Sequence, residues 1–162
     1  MMKRLIQCLL SMALLGSSSA LLSQQQYSGQ GYAVFGVGSG VGNFGDLLNA
    51  GGGGEVFVWR GLTAGGDIAY MWPRVEPSEG IGLLSVGPAW HFVNRAHPSR
   101  VIPFVNGGYG LAFREGAANL WYWGGGVNWW FASHAGLRVE FRHYGQQSYG
   151  FDNAIRVGIA FH

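Results

Sequence analysis

The sequence predicts an all-β chain closed into an antiparallel transmembrane barrel of about eight strands in up-and-down order. Three observations predict it. Apolar residues alternate with small or polar ones at period 2, turn residues interrupt the alternation roughly every 10 to 16 positions, and no segment carries a 3.6-residue period. Aromatic residues make up 15% of the chain and charged residues only 11%, with 29 glycines and seven tryptophans. A disordered chain would not hold so many Trp, Phe and Val.

The first 20 residues read as a secretory leader. Lys3 and Arg4 form a positive start, residues 5–16 an apolar run, and Ser18 and Ala20 the small positions of a cleavage site, so cleavage is expected after Ala20. The apolar run is shorter than a spanning helix needs. The remaining residues, 21–162, form one domain. Of ten basic residues, Lys3 and Arg4 belong to the leader, which leaves eight against eight acidic ones. A formally neutral domain has no nucleic-acid footprint. Cys8, the only cysteine, also lies in the leader, so the domain has no disulfide, thiolate metal site or cysteine nucleophile.

The expected strands are 31–40, 54–60, 62–72, 81–92, 101–113, 120–131, 135–144 and 153–162. The first two are ambiguous, because Glu55, Phe57 and Trp59 share one parity. In the third, Leu62, Ala64, Ile68, Tyr70 and Trp72 oppose Thr63, Gly65, Asp67 and Ala69. The fourth sets Leu84, Val86, Trp90 and Phe92 against Ser85, Gly87, Ala89 and His91, and the sixth sets Trp121, Trp123, Val127, Trp129 and Phe131 against Tyr122, Gly124, Gly126 and Asn128. The seventh alternates Leu137, Val139, Phe141 with Arg138, Glu140, Arg142. The eighth alternates Ile155, Val157, Ile159, Phe161 with Arg156, Gly158, Ala160, His162. Links 41–53, 73–80 and 145–152 are expected to be loops at one end, with shorter turns at the other, although 114–119 is short for that pattern.

Size decides which face is inside. The interior of an eight-stranded barrel is only just filled by side chains, so the face of large apolar residues fits against lipid and the face of Gly, Ala, Ser and a few charges fits the lumen. Trp72, Trp90, Trp121, Trp129 and Phe161 fall near strand ends, where an aromatic girdle would sit. Closure pairs every backbone group without water.

Several stretches carry a resemblance. Residues 103–113, Pro-Phe-Val-Asn-Gly-Gly-Tyr-Gly-Leu-Ala-Phe, and the hairpin 123–144, with its tight turn into Leu-Arg-Val-Glu-Phe-Arg, resemble strands of the outer-membrane β-barrel superfamily that includes OmpA, OmpX and opacity-type proteins. The stretch Ile155, Val157, Ile159, Phe161 is similar to that superfamily's C-terminal assembly signal, with His162 added after the aromatic. The resemblance covers roughly the last 60 residues. It implies a bacterial outer-membrane location, contact with outer-membrane lipid and lipopolysaccharide, and insertion by the barrel-assembly machinery with periplasmic chaperones. It does not select among the superfamily's many roles.

Three classes of activity are compatible with a chain of this pattern. A structural or surface-interaction barrel with a side-chain plug needs only the features above. Its lumen charges would be Arg138, Glu140, Arg142 and Arg156 on one face of adjacent strands, with Asp67, Glu55 and Arg114 across the lumen. A lipid A-modifying hydrolase would draw on His143, with Ser148 as nucleophile and Asp152 as orienter. However, Tyr144 and Gly145 follow His143, so no serine stands at His-x-Ser spacing. A soluble periplasmic ligand-binding barrel also alternates, but with its large apolar face inward. The Gly40-x-Gly42-x-x-Gly45 match, with Asp67 about twenty residues on, lacks the strand–turn–helix context of a dinucleotide site. His91, His97, His134, His143 and His162 have no metal-ligand spacing, and no cofactor or metal is expected.

Overall fold

The computed structural model describes residues 28–39, 44–93, 99–114, 116–145 and 153–162; the expected leader lies outside them. Eight strands follow in order: β1 (Gly29–Ser39), β2 (Phe44–Trp59), β3 (Leu62–Pro73), β4 (Ile81–His91), β5 (Val101–Phe113), β6 (Ala117–Trp130), β7 (Ala135–Gly145) and β8 (Asn153–Phe161). Each pairs antiparallel with the next, and β8 pairs with β1 from Gly31↔Phe161 to Ser39↔Asn153, which closes the barrel. Both ends of the barrel domain therefore lie at the end of the β2–β3, β4–β5 and β6–β7 links.

The largest departure from expectation is β2, which begins at Phe44, so most of the expected loop 41–53 is strand. Gly51, Gly52, Gly53 and Gly54 give no alternation to read, yet their backbones are paired on both sides, Gly52 with Ala33 and Ile68, for example. A side chain at Gly53 would meet the backbone of Asp67. Close strand approach therefore explains a run that composition alone assigns to a loop. The links at the far end are consequently not uniformly long: 114–116 spans β5–β6, while 92–100 joins β4 to β5 at the termini end.

Residues 60–61 join β2 to β3 with positive φ at both Arg60 (38°) and Gly61 (94°), the backbone that a two-residue hairpin turn requires. Just before it, the register shifts between Phe57 and Trp59. The bulge leaves Phe57 buried inside and turns both Val58 and Trp59 outward, which resolves the shared parity of Glu55, Phe57 and Trp59.

Facing directions on β3, β4, β6, β7 and β8 follow the alternation. Leu84, Val86, Val139, Phe141, Ile155, Val157, Ile159 and Phe161 are exposed on the outer wall. Trp90, Trp129 and Phe161 lie outward at the termini end with Trp59 and Phe131, and Trp72 and Trp121 lie outward at the loop end. Trp59 packs edge-on to Trp90 and carries the Arg60 guanidinium 5.2 Å from its ring.

The inner face differs from the expected run of small residues. Tyr32, Phe57, Phe104, Tyr122, Trp130 and Tyr144 are buried inside. Inward glycines make the room: a Cβ at Gly126 would collide with the backbone of Glu140 and the ring of Phe104. The barrel thus reaches filled-interior packing by setting large side chains over missing ones.

Candidate functional site

The lumen is layered. At the loop end Met71, Leu83, Leu120 and Tyr144 pack with alanines into an apolar cluster, and at the termini end Tyr32, Val34, Trp130 and Ala160 form another. Between them lies a charged layer.

Arg138, Glu140 and Arg142 alternate inward on β7, and Arg156 faces Glu140 across the β7–β8 pair. Glu140 is the hub. Its Oε2 accepts from Arg156 Nη2 at 2.9 Å and Arg138 Nε at 3.2 Å, and its Oε1 accepts from Arg142 Nη2 at 2.8 Å and Asn106 Nδ2 at 2.8 Å. Asp67, inward on β3, takes Arg142 at 2.8 Å and Arg156 at 3.2 Å. It also accepts from the Tyr32 hydroxyl at 3.2 Å. Glu55, inward on β2, takes Arg138 at 3.3 Å, His91 at 3.0 Å, and hydrogen bonds from Gln30 and Thr63.

Three arginines thus meet three carboxylates, all buried. Ion pairs at this depth hold only when geometry and further hydrogen bonds offset desolvation, and rings supply part of that. The Arg138 guanidinium lies 4.0 Å from the Phe104 centroid and 4.2 Å from Tyr32, and Arg142 lies 4.4 Å from Tyr122. The space left at the centre, lined by Tyr32, Glu55, Asp67, Asn106, Arg138 and Arg142, measures about 20 Å³. That is room for about one water and for no organic ligand.

Of the residues expected in the lumen, Asp67, Arg138, Glu140, Arg142 and Arg156 come together, and Glu55 joins them. Arg114 does not. β5 ends at Phe113, and Arg114 turns instead to the 3₁₀ turn Pro77–Glu79, where Nη1 and Nη2 bond the two Glu79 oxygens at 2.9 Å each. This bidentate pair holds the Glu79 carboxyl below its ordinary range. Asn106, His91, Gln30 and Thr63 belong to the network although the charges alone do not single them out; their inward parity is the signal that finds them.

His143 is not in the lumen. It faces outward on β7, its Nδ1 3.0 Å from Asn153 Oδ1. Ser148 and Asp152, the other members of the expected hydrolase set, lie outside the described residues, as do His97 and the Gly40–Gly42 part of the glycine motif. Gly45 and Asp67 of that motif sit on β2 and β3, without the helix a dinucleotide site needs. Among the described residues no helix is long and apolar enough to cross a membrane, which leaves crossing by strands untouched.

No protein-family model and no curated protein matches the chain. Solved structures do. The N-terminal β-barrel domain of Pseudomonas aeruginosa OprF matches with a TM-score of 0.62 at 14% identity, over 85% of this chain and 98% of that one. Neisserial surface protein A (NspA) matches at 0.60 and 14%, over 82% and 94%. A de novo designed transmembrane β-barrel matches at 0.58 and 19%, over 85% and 98%. The fold is that of the eight-stranded transmembrane barrels, natural and designed.

Proposed function

We propose that this chain is an integral outer-membrane barrel, secreted with its leader removed, whose role in the bacterial envelope is structural or surface-interacting rather than catalytic. The observation that carries the reading is the division of the wall: an apolar outer face between aromatic ends, and a lumen closed by apolar layers around a neutralised charge network. Such a wall is stable in hydrocarbon and exposes a large apolar surface in water. A soluble ligand-binding barrel would need the reverse, with its large apolar face around an internal cavity. A filled lumen also points away from conduction, and leaves the links at the loop end and the outer wall as the surfaces for partners. Those partners are outer-membrane lipid and lipopolysaccharide, with periplasmic chaperones and the barrel-assembly machinery during insertion.

Fractionation tests the location. The protein should sediment with the outer membrane, resist carbonate extraction and migrate differently on gels before and after boiling, because the closed hydrogen-bonded wall survives detergent until heated. Recovery as a soluble periplasmic protein would overturn the reading. Lipid A incubated with the purified barrel should be unchanged by mass spectrometry, and loss of an acyl chain would favour the hydrolase instead.

A further inference from the structure

Among the described residues the outer wall carries a hydrogen-bonded polar row set beside aromatic rings. Ser39, Asn153, His143 and Trp123 are successive cross-strand partners on β1, β8, β7 and β6. They stand outward close to the loop-end termini of β1, β8 and β7, the level at which headgroups begin. Asn153 ties the row together: its Oδ1 accepts from His143 Nδ1, while its backbone N and Nδ2 reach Ser39 Oγ at 3.2 and 3.4 Å. With Nδ1–H engaged, the neutral imidazole leaves Nε2 as an acceptor, and Ser39 Oγ, already accepting, keeps its hydrogen to donate. The His143 ring lies 5.4 Å from Trp123 and 5.6 Å from Trp121, both exposed. The loop end of β3 has no such row; Tyr70 and Trp72 simply stack there, at 5.5 Å.

We propose that this row is a docking site for the sugar headgroup of a glycolipid in the surrounding leaflet. A fixed acceptor and donor beside two indoles match sugar hydroxyls and the apolar C–H face of a pyranose ring. The row itself has no Lys or Arg to hold a phosphate, and Arg114, in the link that leads into β6, is held by Glu79. The inference rests on the outer wall facing lipid.

The test uses the folded barrel in micelles with monoglucosyl diacylglycerol or phosphatidylglycerol, read by native mass spectrometry. One glucosyl lipid per barrel should be retained in preference to phosphatidylglycerol. His143→Ala should weaken retention about tenfold, the effect of losing one directed hydrogen bond. Ser39→Ala, a smaller change, should weaken it in the same direction, and Trp129→Phe, at the opposite end, should leave it unchanged. Boiled and unboiled gel migration reports whether each variant folds. Equal retention of both lipids, or retention unaffected by both His143→Ala and Ser39→Ala, would overturn the site while leaving the barrel's membrane location standing. Failure of the wild-type barrel to insert into vesicles would overturn both.

Discussion

Glu140 and Arg156 stand directly opposite each other in the β7–β8 ladder and join through Oε2 and Nη2 at 2.9 Å, both fully buried. Glu140 serves three arginines at once. Neutralising it therefore strands more charge than any other single change in the lumen. Glu140→Gln should destabilise the barrel by about 3–5 kcal/mol in reversible unfolding from lipid vesicles, the range for breaking one member out of a buried pair. Adding Arg156→Gln should cost less than the sum of the two single changes, since each removes the other's partner. Strict additivity would show that the pair is not coupled.

Arg114 supplies the contrast. It pairs with Glu79 at the rim, away from the lumen, so Arg114→Gln and Glu140→Gln should add within about 0.5 kcal/mol. A larger coupling would place Arg114 back in the lumen network.

The rim pair also sets a pH dependence. Glu79 has its carboxyl pKa lowered by the Arg114 hydrogen bonds and charge. A group depressed in the folded state contributes stability that is present above its unfolded value, near 4.5, and is lost as pH falls through the folded one. Protection of the β3–β4 link from an acid-active protease should therefore decline only below that value. High salt should weaken the protection wherever the carboxyl is charged, because the pair is exposed to solvent. In Arg114→Gln the carboxyl should titrate near its ordinary value by NMR; no change in the titration would remove Arg114 as the cause.

Val139 lies on the outer wall, 40% exposed, flanked in the ladder by Val127 and Val157. If that row sits near mid-depth, Val139→Arg should cost about 2–4 kcal/mol of folding stability in vesicles, less if it sits nearer an interface. Arg138→Leu, one residue away but inside, should also destabilise, by leaving Glu55 and Glu140 short of a partner. A neutral Val139→Arg together with a stabilising Arg138→Leu would mean that the wall is inside out.

The reach of the sequence differs from element to element. β7 and β8 were legible because the outward positions through the middle of each strand are Leu, Val, Ile or Phe, Leu137 to Phe141 and Ile155 to Phe161, and the inward positions include all three network arginines. β2 was not, because four consecutive glycines have no faces to compare, and because a bulge shifts Trp59 off the parity of Glu55. Arg114 carries the inward parity of β5 but falls just after its last residue, Phe113, where alternation no longer dictates direction. The inward aromatics were hidden by a sound rule applied one residue at a time. A small interior cannot take many large side chains, but it can take Phe104 where Gly126 faces it, and that pairing is a property of the closed sheet.

The distribution of lumen charge along the chain bears on how the wall comes to be sealed. The network carboxylates of β2 and β3, Glu55 and Asp67, have no arginine on the first strands, while β7 and β8 hold Arg138, Arg142 and Arg156 against Glu140 alone, a surplus of two arginines. Arg138 reaches Glu55 across 83 residues and Arg156 reaches Asp67 across 89. Neither half can neutralise itself, so an unclosed sheet in lipid carries uncompensated charge on its concave side, and only the curling of the last hairpin onto the first strands removes it. Closing the sheet thus sets the arginine surplus of the C-terminal hairpin against the carboxylates of the N-terminal strands.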